Sequence, residues 1–516
     1  MHLHALTAGA ECLSHGNPRC LRQKSRDTVF ISDVSHILIS MEKDSRLTQA
    51  FTDNKQQLQE LIASLGEKTV VTNPATIDNY RWDRANDPGA GTPLAVVRAT
   101  SAEDVQTTVR FAASQGIPVV ARGAGSGLSG GSSAVDGGII LSTELMRDID
   151  INPLTRTAVV QPGAFNAEVK AAAAEHGLWY PPDPSSFEFC SIGGNIATNA
   201  GGLCCVKYGV TSDYVLGLKV VLADGRLVEL GGPRLKDVAG LSLTQLFVGS
   251  EGTLGIITEV TLRLVPAQCP PTTLVATFST LDDSTAAVLA IASTMRPSML
   301  EFMDHPTINA VEDATGMGLD GDAAAMLIIQ SDEPAEYAAK EIEDIEALCN
   351  KHNATDVFAT SDADEADAVI AARRMAIPAV EQKGTLLLED VGVPLPRLGD
   401  LVRGMEQIAA HRDVMIAVIA HAGDGNTHPL LVFDPMDEDQ KRRAHTAYGE
   451  VMDLAVQLGG TITGEHGVGR LKRPWLIDSI GEDALELNHR IKKALDPQNI
   501  FNPGAVFDPT VISEQQ

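Results

Sequence analysis

The chain has seven cysteines but no CxxC pair, a pattern that fits neither an iron–sulfur cluster nor a zinc knuckle. In a protein of this size and class they are better explained as reduced thiols in a cytoplasm. No apolar run approaches the length of a membrane span. The first forty residues also lack the apolar core of a secretory signal. We therefore expect a cytoplasmic protein, with peripheral contact at a membrane left open.

Positive charge is scarce, because 40 Lys and Arg stand against 68 Asp and Glu, a formal net charge of -28. This balance argues against a nucleic-acid partner and against an anionic membrane surface. Local positive groups could still attract a small anionic substrate. At 516 residues the chain exceeds what one hydrophobic core usually serves, so we expect two or more domains.

Two short glycine-flanked segments have the composition of a metal site. Residues 421–428 read HAGDGNTH and bring two histidines together, and the glycines allow a tight loop. Residues 464–467 read GEHG and offer a third ligand. Three N/O ligands with an open position are typical of a catalytic divalent metal. A lone histidine is more often a core or surface residue, so the prediction depends on the two segments converging.

Three other glycine-rich stretches lie between residues 122 and 258. The first, 122–131, reads RGAGSGLSGG after a predicted strand, and its consecutive backbone amides predict an anion-binding nest. It is neither a dinucleotide fingerprint nor a Walker loop. The others are SIGGNIATNAGG at 191–202 and GSEGTLGIIT at 249–258. Each alone is typical of a tight turn in an α/β domain, but three in one segment favour a binding site.

Hydrophobic periodicity predicts alternating helices and strands along the chain. The predicted elements are an entry helix over 47–65, strands over 94–97 and 117–121, a helix over 102–114, and a hairpin of 216–222 with 226–230 across Asp224 and Gly225. From 272 to about 458, strands alternate with acidic helices such as 333–348. The apolar stripe of that helix is typical of a helix packed on a sheet.

The ordered motifs RGAGSGLSGG, DPSS, IGGNIATNAGG, KYGV, GSEGTLGIIT, HAGDGNTH, GEHGVGR and DPQNIFNPG closely resemble those of the vanillyl-alcohol oxidase superfamily of flavoproteins. The resemblance spans about residues 80–506 and is strongest to the branch of glycolate oxidase flavin subunits and D-lactate dehydrogenases. It implies an α+β fold with a two-subdomain FAD-binding domain, an α/β cap domain and a C-terminal segment that returns to the flavin. The expected boundaries are 1–46 for a disordered extension, 47–266 for the FAD-binding domain, 267–460 for the cap and 461–516 for the C-terminal segment.

The resemblance also implies the residues that bind FAD. The pyrophosphate would be held by Gly123, Ala124, Gly125, Ser126 and Gly127. The other implied cofactor-binding residues are Arg122, Pro184, Gly193, Gly194, Ala197, Asn199, Gly202, Glu251, Ile257 and Asn502, the last of which approaches the isoalloxazine ring. We expect non-covalent flavin, because the first loop lacks the His or Cys of covalent relatives and Cys190 resembles a feature of the non-covalent branch.

The implied reaction is the oxidation of a D-2-hydroxy acid with hydride transfer to FAD. By the resemblance, His421, His428 and Glu465 bind a divalent metal, zinc or manganese, which activates the substrate hydroxyl. His466 takes the hydroxyl proton as general base. Arg373, on a predicted helix, pairs with the substrate carboxylate through two parallel hydrogen bonds.

Three polar positions that family members use for the dicarboxylate D-2-hydroxyglutarate fall here on Ile377, Leu388 and Leu430. Burying a second carboxylate against aliphatic side chains costs several kcal/mol. We therefore expect a monocarboxylate, D-lactate or glycolate, unless Lys383 restores a positive charge. A D-2-hydroxyglutarate dehydrogenase is the alternative, followed by a non-redox flavin-containing ether-lipid synthase and a non-catalytic flavin-binding protein.

The chain shows no second redox centre, so we expect electrons to pass to a quinone, a cytochrome or an iron–sulfur partner subunit. We also expect a homodimer that binds no nucleic acid.

Overall fold

The computed structural model describes residues 58–508 of the chain. The predicted disordered extension and the first part of the predicted entry helix lie outside these residues. Within them, no helix is long and apolar enough to cross a membrane.

The first sheet has four short strands in the order β1-β2-β4-β3. β2, β3 and β4 are parallel, and β1 is antiparallel to β2. The elements of this part are β1 Val70–Val71, β2 Ala95–Arg98, β3 Val119–Arg122, β4 Ile139–Ser142, α1 Gln59–Leu65, α2 Pro74–Asp78 and α3 Ala102–Gln115. The strands are apolar and almost fully buried, as expected of parallel strands covered on both faces. The predicted β–α–β pattern from residue 94 to residue 121 is confirmed, and the first glycine-rich loop starts where β3 ends.

The second sheet is antiparallel, in the order β5-β6-β10-β8-β9, and β7 pairs separately with β11. Its elements are β5 Ile149–Asn152, β6 Thr157–Val160, β7 Leu178–Trp179, β8 Val215–Val221, β9 Leu227–Gly231, β10 Ile256–Arg263, β11 Val265–Pro266, α4 Asn166–Ala174, α5 Ile192–Thr198, α6 Cys205–Tyr208, α7 Leu243–Phe247 and the 3-10 helix Thr211–Asp213. The predicted hairpin is confirmed as β8–β9, with Gly225 at φ 76° in the turn.

The third sheet has eight strands in the order β15-β12-β14-β13-β18-β19-β16, and β17 also pairs with β19. Its strands are β12 Thr272–Phe278, β13 Met299–Asp304, β14 Ala325–Ser331, β15 Ala354–Thr360, β16 Thr385–Leu388, β17 Val391–Gly392, β18 Met415–His421 and β19 Asn426–Phe433. Its helices are α8 Leu281–Thr294, α9 His305–Thr315, α10 Ala335–Lys351, α11 Ala363–Arg374, α12 Ala376–Glu381, α13 Leu398–Arg412, α14 Glu438–Gln457 and the 3-10 helix Leu395–Arg397.

Helices cover both faces of this sheet. One apolar layer packs α8, α10, α13 and α14 against it, and the other packs α9, α11 and α12. The predicted helix over 333–348 is confirmed as α10. The predicted helix that carries Arg373 is α11, which ends at Arg374, and Pro378 lies in the separate helix α12.

The last elements are the 3-10 helix Arg473–Trp475, α15 Leu476–Ile480 and α16 Glu482–Leu495. Beyond them the chain returns to the first sheet, where the Val119 amide donates to the Ile500 carbonyl at 2.7 Å and the Asn502 amide donates to the Val119 carbonyl at 2.8 Å. The buried Lys492 ammonium ties this return to α16 by donating to the Phe501 carbonyl at 2.8 Å. Residues 500–502 therefore lie beside β3, the strand that leads into the first glycine-rich loop.

Candidate active site

A cavity of about 310 Å³ lies where the three glycine-rich loops meet α11, α12 and the GEHG segment. Of the residues predicted to bind the cofactor, all but three line it. Those that do are Arg122, Gly123, Ala124, Gly125, Ser126, Gly127, Pro184, Gly193, Gly194, Ala197, Glu251 and Ile257. The structure thus brings the first and third glycine-rich loops together, although they are more than a hundred residues apart in the sequence.

Arg122 supplies the cavity with an unpaired donor. Its Nη1 atom is buried and has no hydrogen-bond partner among the described residues. Gly125 has φ 71°, and a Cβ there would lie 2.2 Å from Arg122 Nη2, so a larger residue would strain the backbone and displace the guanidinium. A free guanidinium N–H beside a run of backbone amides is a donor set suited to a phosphate group. These loops therefore fit the pyrophosphate of a dinucleotide.

Asn502 and Glu251 hold the loops in place. The Asn502 side-chain amide donates to the Gly131 carbonyl at 2.7 Å and to the Glu251 carbonyl at 2.9 Å, which joins the first and third loops. The buried Glu251 carboxylate accepts from the amides of Val468 at 2.7 Å and Gly469 at 2.8 Å. Burial raises the pKa of Glu251 to about 7. Both side chains link the loops to the C-terminal segment.

The other two predicted cofactor residues lie just outside the cavity lining. Asn199 ends α5 in a left-handed conformation, and its side-chain oxygen accepts from the Ser212 amide at 2.8 Å. A Cβ on Gly202 would lie 2.4 Å from the Asp183 carbonyl oxygen, so glycine is needed for close backbone packing. Both residues shape the second loop.

The two histidines of HAGDGNTH meet because this segment is the tip of the β18–β19 hairpin. His421 pairs with Asn426 and Ile419 pairs with His428, so the imidazoles are diagonal neighbours on one sheet face. Their Nε2 atoms lie 3.2 Å apart. Glu465 Oε1 is 3.5 Å from His421 Nε2 and 3.2 Å from His428 Nε2. Two imidazole nitrogens and one carboxylate oxygen form a donor set that fits a divalent cation such as zinc or manganese.

Glu301 on β13 orients the first of these histidines. It pairs with His421 in the sheet, and its Oε1 accepts from His421 Nδ1 at 2.7 Å. Its Oε2 accepts from Arg373 Nε at 2.9 Å and Nη2 at 2.6 Å. Burial alone would raise the pKa of Glu301, but His421 and Arg373 outweigh it and lower that pKa. With Nδ1 engaged, His421 presents Nε2 to the cluster.

Arg373 therefore faces Glu301, and its side chain is only 6 % exposed. The next residue, Arg374, lines the cavity, with its guanidinium 5.1 Å from the centre of the Phe187 ring. Adjacent helical residues point about 100° apart, so Arg373 and Arg374 face different surroundings. The substrate role of Arg373 stays a prediction, and Arg374 is a cavity-lining residue to which the resemblance assigned no role.

Glu465 and His466 both line the cavity. The His466 ring stacks on His428 with centroids 4.9 Å apart and planes 10° apart. Burial lowers the pKa of His466 to about 4, so its imidazole is neutral at physiological pH. The cavity wall also includes the apolar side chains of Ile377 and Leu388.

Leu430 lies behind this wall, buried and paired with Leu388 in the sheet. The Lys383 ammonium is 2.6 Å from an Asp313 carboxylate oxygen, and Lys383 is not among the lining residues. In this arrangement Lys383 adds no positive charge to the cavity wall.

Sequence comparison assigns the family. Residues 93–231 match the FAD binding domain family, and residues 270–506 match the C-terminal domain of FAD linked oxidases. Glycolate oxidase subunit GlcD of Bacillus subtilis (strain 168) is 42% identical over 447 residues, which are 85% of this chain and 95% of that protein. The chain belongs to the FAD-linked oxidase family. This FAD-linked oxidase is also 36% identical to a D-lactate dehydrogenase of Archaeoglobus fulgidus, over 83% of this chain and 95% of that one.

Its fold matches that of 4-ethylphenol oxidase from Gulosibacter chungangensis, with a TM-score of 0.73 over 89% of this chain and 97% of the other, at 20% identity. The predicted α+β fold of vanillyl-alcohol oxidase type, the FAD-binding domain and the class of FAD-dependent oxidoreductase are confirmed. The domain boundaries at 266 and 460 stay predictions.

Glu301 and Asp390, a neighbour of the cluster, were also missed. Each is an acid next to apolar strand residues, in the runs MLEFMD and TLLLED. Because a buried charge needs a partner, an acid inside an apolar strand is itself a signal of a functional or structural ion pair.

Proposed function

We propose that this FAD-linked oxidase oxidises a small D-2-hydroxy monocarboxylate, D-lactate or glycolate, to the 2-oxo acid. The observation that carries the proposal is that Glu465, His466 and Arg374 line one cavity, while Glu465 also belongs to a His–His–Glu donor set with His421 and His428. The relatives named glycolate oxidase subunit and D-lactate dehydrogenase support a hydroxy-acid substrate. The apolar side chains of Ile377 and Leu388 favour a substrate with one carboxylate.

Each group has a separate task in this proposal. Bound FAD would supply the acceptor for the hydride of the α-carbon. His421, His428 and Glu465 would hold a divalent metal, whose chemistry is that of a Lewis acid toward the substrate hydroxyl. His466 takes the hydroxyl proton at Nε2. Arg374 binds the substrate carboxylate by charge-assisted hydrogen bonds.

We further propose that electrons leave for a quinone, a cytochrome or an iron–sulfur partner subunit. The cysteine spacing of this chain supports an external acceptor, because it contains no CxxC pair.

The flavin should be bound non-covalently. Cys190 lines the cavity, but burial raises the pKa of its thiol, and its Sγ lies 3.2 Å from Asn195 Nδ2. A protonated thiol is a poor nucleophile toward the flavin ring. Acid precipitation should leave the yellow colour in the supernatant, and a yellow pellet would refute this prediction.

D-Lactate or glycolate should bleach the flavin absorbance under anaerobic conditions and should be turned over faster than D-2-hydroxyglutarate at low concentration. We expect kcat/KM to favour the monocarboxylate at least tenfold, because a second carboxylate would meet Ile377 and Leu388. A higher kcat/KM for D-2-hydroxyglutarate than for both other acids would show that the pocket assignment is wrong. Failure of all three acids to bleach the flavin would reject the hydroxy-acid class.

Arg374→Met should raise KM for the hydroxy acid by roughly tenfold or more, because it removes hydrogen bonds to a charged group, which contribute about 1.5–3 kcal/mol, and Arg374 itself is exposed. Flavin and metal content should stay unchanged. Arg373→Met is the matched comparison on the same helix, and it should weaken metal binding and lower Tm because it leaves Glu301 without its guanidinium. The opposite pattern in the two variants would return the carboxylate role to Arg373.

His421→Ala should lose bound metal and turnover but keep its flavin, because His421 lies on the cap hairpin and does not line the cofactor cavity. His445→Ala, an exposed histidine on α14, is the control and should behave as the wild type. Metal content by mass spectrometry and flavin absorbance measure the two effects separately. Full activity in His421→Ala or after chelation would contradict the metal assignment.

A further inference from the structure

Three buried polar atoms next to the metal cluster have no hydrogen-bond partner among the described residues. They are Asp390 Oδ1, His428 Nδ1 and His466 Nδ1. His428 Nδ1 lies 3.8 Å from Asp390 Oδ1. The three side chains together bring one candidate ligand atom each within 4.8 Å of the others. Unpaired buried polar groups are costly, so three that converge call for a common explanation.

The two rings are aligned in parallel. Glu465 Oε1 lies 3.2 Å from His428 Nε2 and 3.8 Å from His466 Nε2, and the ring planes differ by only 10°. The other nitrogen of His428, Nδ1, lies 3.8 Å from Asp390 Oδ1. His466 also brings a ring nitrogen within 4.8 Å of ligand atoms of Asp390 and His428.

The other oxygen of Asp390 is fully used. Oδ2 accepts from Thr463 Oγ1 at 2.6 Å and from the amides of Gly464 at 3.0 Å, Glu465 at 3.0 Å and His466 at 2.8 Å. Asp390 itself is completely buried. One carboxylate oxygen therefore fixes the backbone that carries Glu465 and His466, and leaves Oδ1 to the histidine rings.

We propose that Asp390 is a positioning residue that sets the tautomers of both histidines. A carboxylate oxygen has two lone pairs, so Oδ1 can accept from His428 Nδ1–H and His466 Nδ1–H together. Each ring then has an unprotonated Nε2, which in His428 faces the metal ligands and in His466 receives the hydroxyl proton. The base role of His466 rests on the proposed function, whereas the ligand role of His428 is tested by metal binding alone.

The contact requires little movement. His428 Nδ1 and Asp390 Oδ1 are 3.8 Å apart, and a charge-assisted N–H···O bond is roughly 2.8 Å long. A small side-chain rotation is enough to make up this difference. The buried Lys472 ammonium, 3.8 Å from Asp390 Oδ2, and the three backbone amides that donate to Oδ2 stabilise Asp390 as a charged carboxylate. The oxygen is thus a charged acceptor. Glu301 already makes the equivalent contact with His421 Nδ1 at 2.7 Å.

A second cation between Asp390, His428 and His466 is the competing explanation, and the surrounding charges disfavour it. The buried Lys472 ammonium is 3.8 Å from Asp390 Oδ2 and would repel a cation. If His428 bound one metal through Nε2 and a second through Nδ1, its ring would also have to lose its N–H proton and become a bridging imidazolate. Hydrogen bonds from the two neutral imidazoles to Asp390 Oδ1 would pair all three buried atoms. They would need neither a cation beside Lys472 nor a deprotonated imidazole.

Asp390→Asn tests the proposal with almost no change in size. Its amide oxygen can still accept from the 464–466 backbone, but its NH₂ then faces the rings and demands acceptors at Nδ1. Both rings would move their proton to Nε2. Zinc affinity, measured in zinc–chelator buffers by metal content after gel filtration, should fall about 10–100-fold. At saturating zinc, kcat should fall by at least roughly a hundredfold with the wrong tautomer at the base.

Two further variants separate this role from simple stabilisation. Asp304→Asn changes another buried carboxylate, which accepts from the Thr307 and Val418 amides, and no histidine is among its hydrogen-bond partners. It should lower Tm but leave zinc affinity and kcat within about threefold of the wild type. Thr463→Val removes one donor to Asp390 Oδ2 and leaves Oδ1 unchanged. It should loosen the loop while keeping zinc affinity within the same range.

Wild-type zinc affinity in Asp390→Asn, or an equal loss in Thr463→Val, would overturn the proposal. Binding of two zinc ions per wild-type chain, with one lost in Asp390→Asn, would overturn it in favour of the second cation. If Asp390→Asn does not fold, the proposal rests on Asp390→Glu, which keeps the carboxylate and should retain zinc binding better than Asp390→Ala. A wild-type protein that binds one zinc but oxidises no hydroxy acid would refute the proposed function, while the zinc measurements would still decide the tautomer role of Asp390 toward His428.

Discussion

The register between β13, β18 and β19 is the constraint on which the site depends. Glu301 pairs with His421, and Ile419 pairs with His428, so the carboxylate and both imidazoles leave the sheet on one face. A shift of one residue would turn these side chains into the apolar layer on the other face. The strand pairing therefore fixes the positions of His421 and His428, the two candidate metal ligands, and places Glu301 so that it orients His421.

Buried charge is the second constraint, because the carboxylates of Glu301 and Asp390 are fully buried and that of Glu465 is only 12% exposed. Each is held by partners of opposite charge or by N–H donors, and removing one partner of a buried pair costs about 3–5 kcal/mol. Since His421 contacts both Glu301 and Glu465, and Asp390 holds the Glu465 backbone, the cluster behaves as one unit. Substitutions within it should therefore be non-additive.

Local patterns predicted the elements that depend on local chemistry. The β8–β9 hairpin followed from Asp224 and Gly225, and the glycine loops at the cavity followed from their composition. The orientation of neighbouring helical residues was not predictable in this way. Which of Arg373 and Arg374 faces the cavity depends on how α11 packs on the sheet, where Ala372 joins the apolar layer and Arg373 pairs with the buried Glu301. Likewise, nothing local in the sequence reveals that Asp390 folds against the segment 463–466.

The cavity separates two kinds of recognition. On the side of the first two sheets, the glycine-rich loops present main-chain amides. Backbone N–H groups of this kind suit the phosphates of a large cofactor. On the side of the third sheet, recognition depends on charged side chains fixed by strand register. Glu465 and His466 line the cavity while their backbone is held by Asp390 of the third-sheet segment. Glu465 and His466 thus stand at the boundary between the glycine-rich loops and the third sheet.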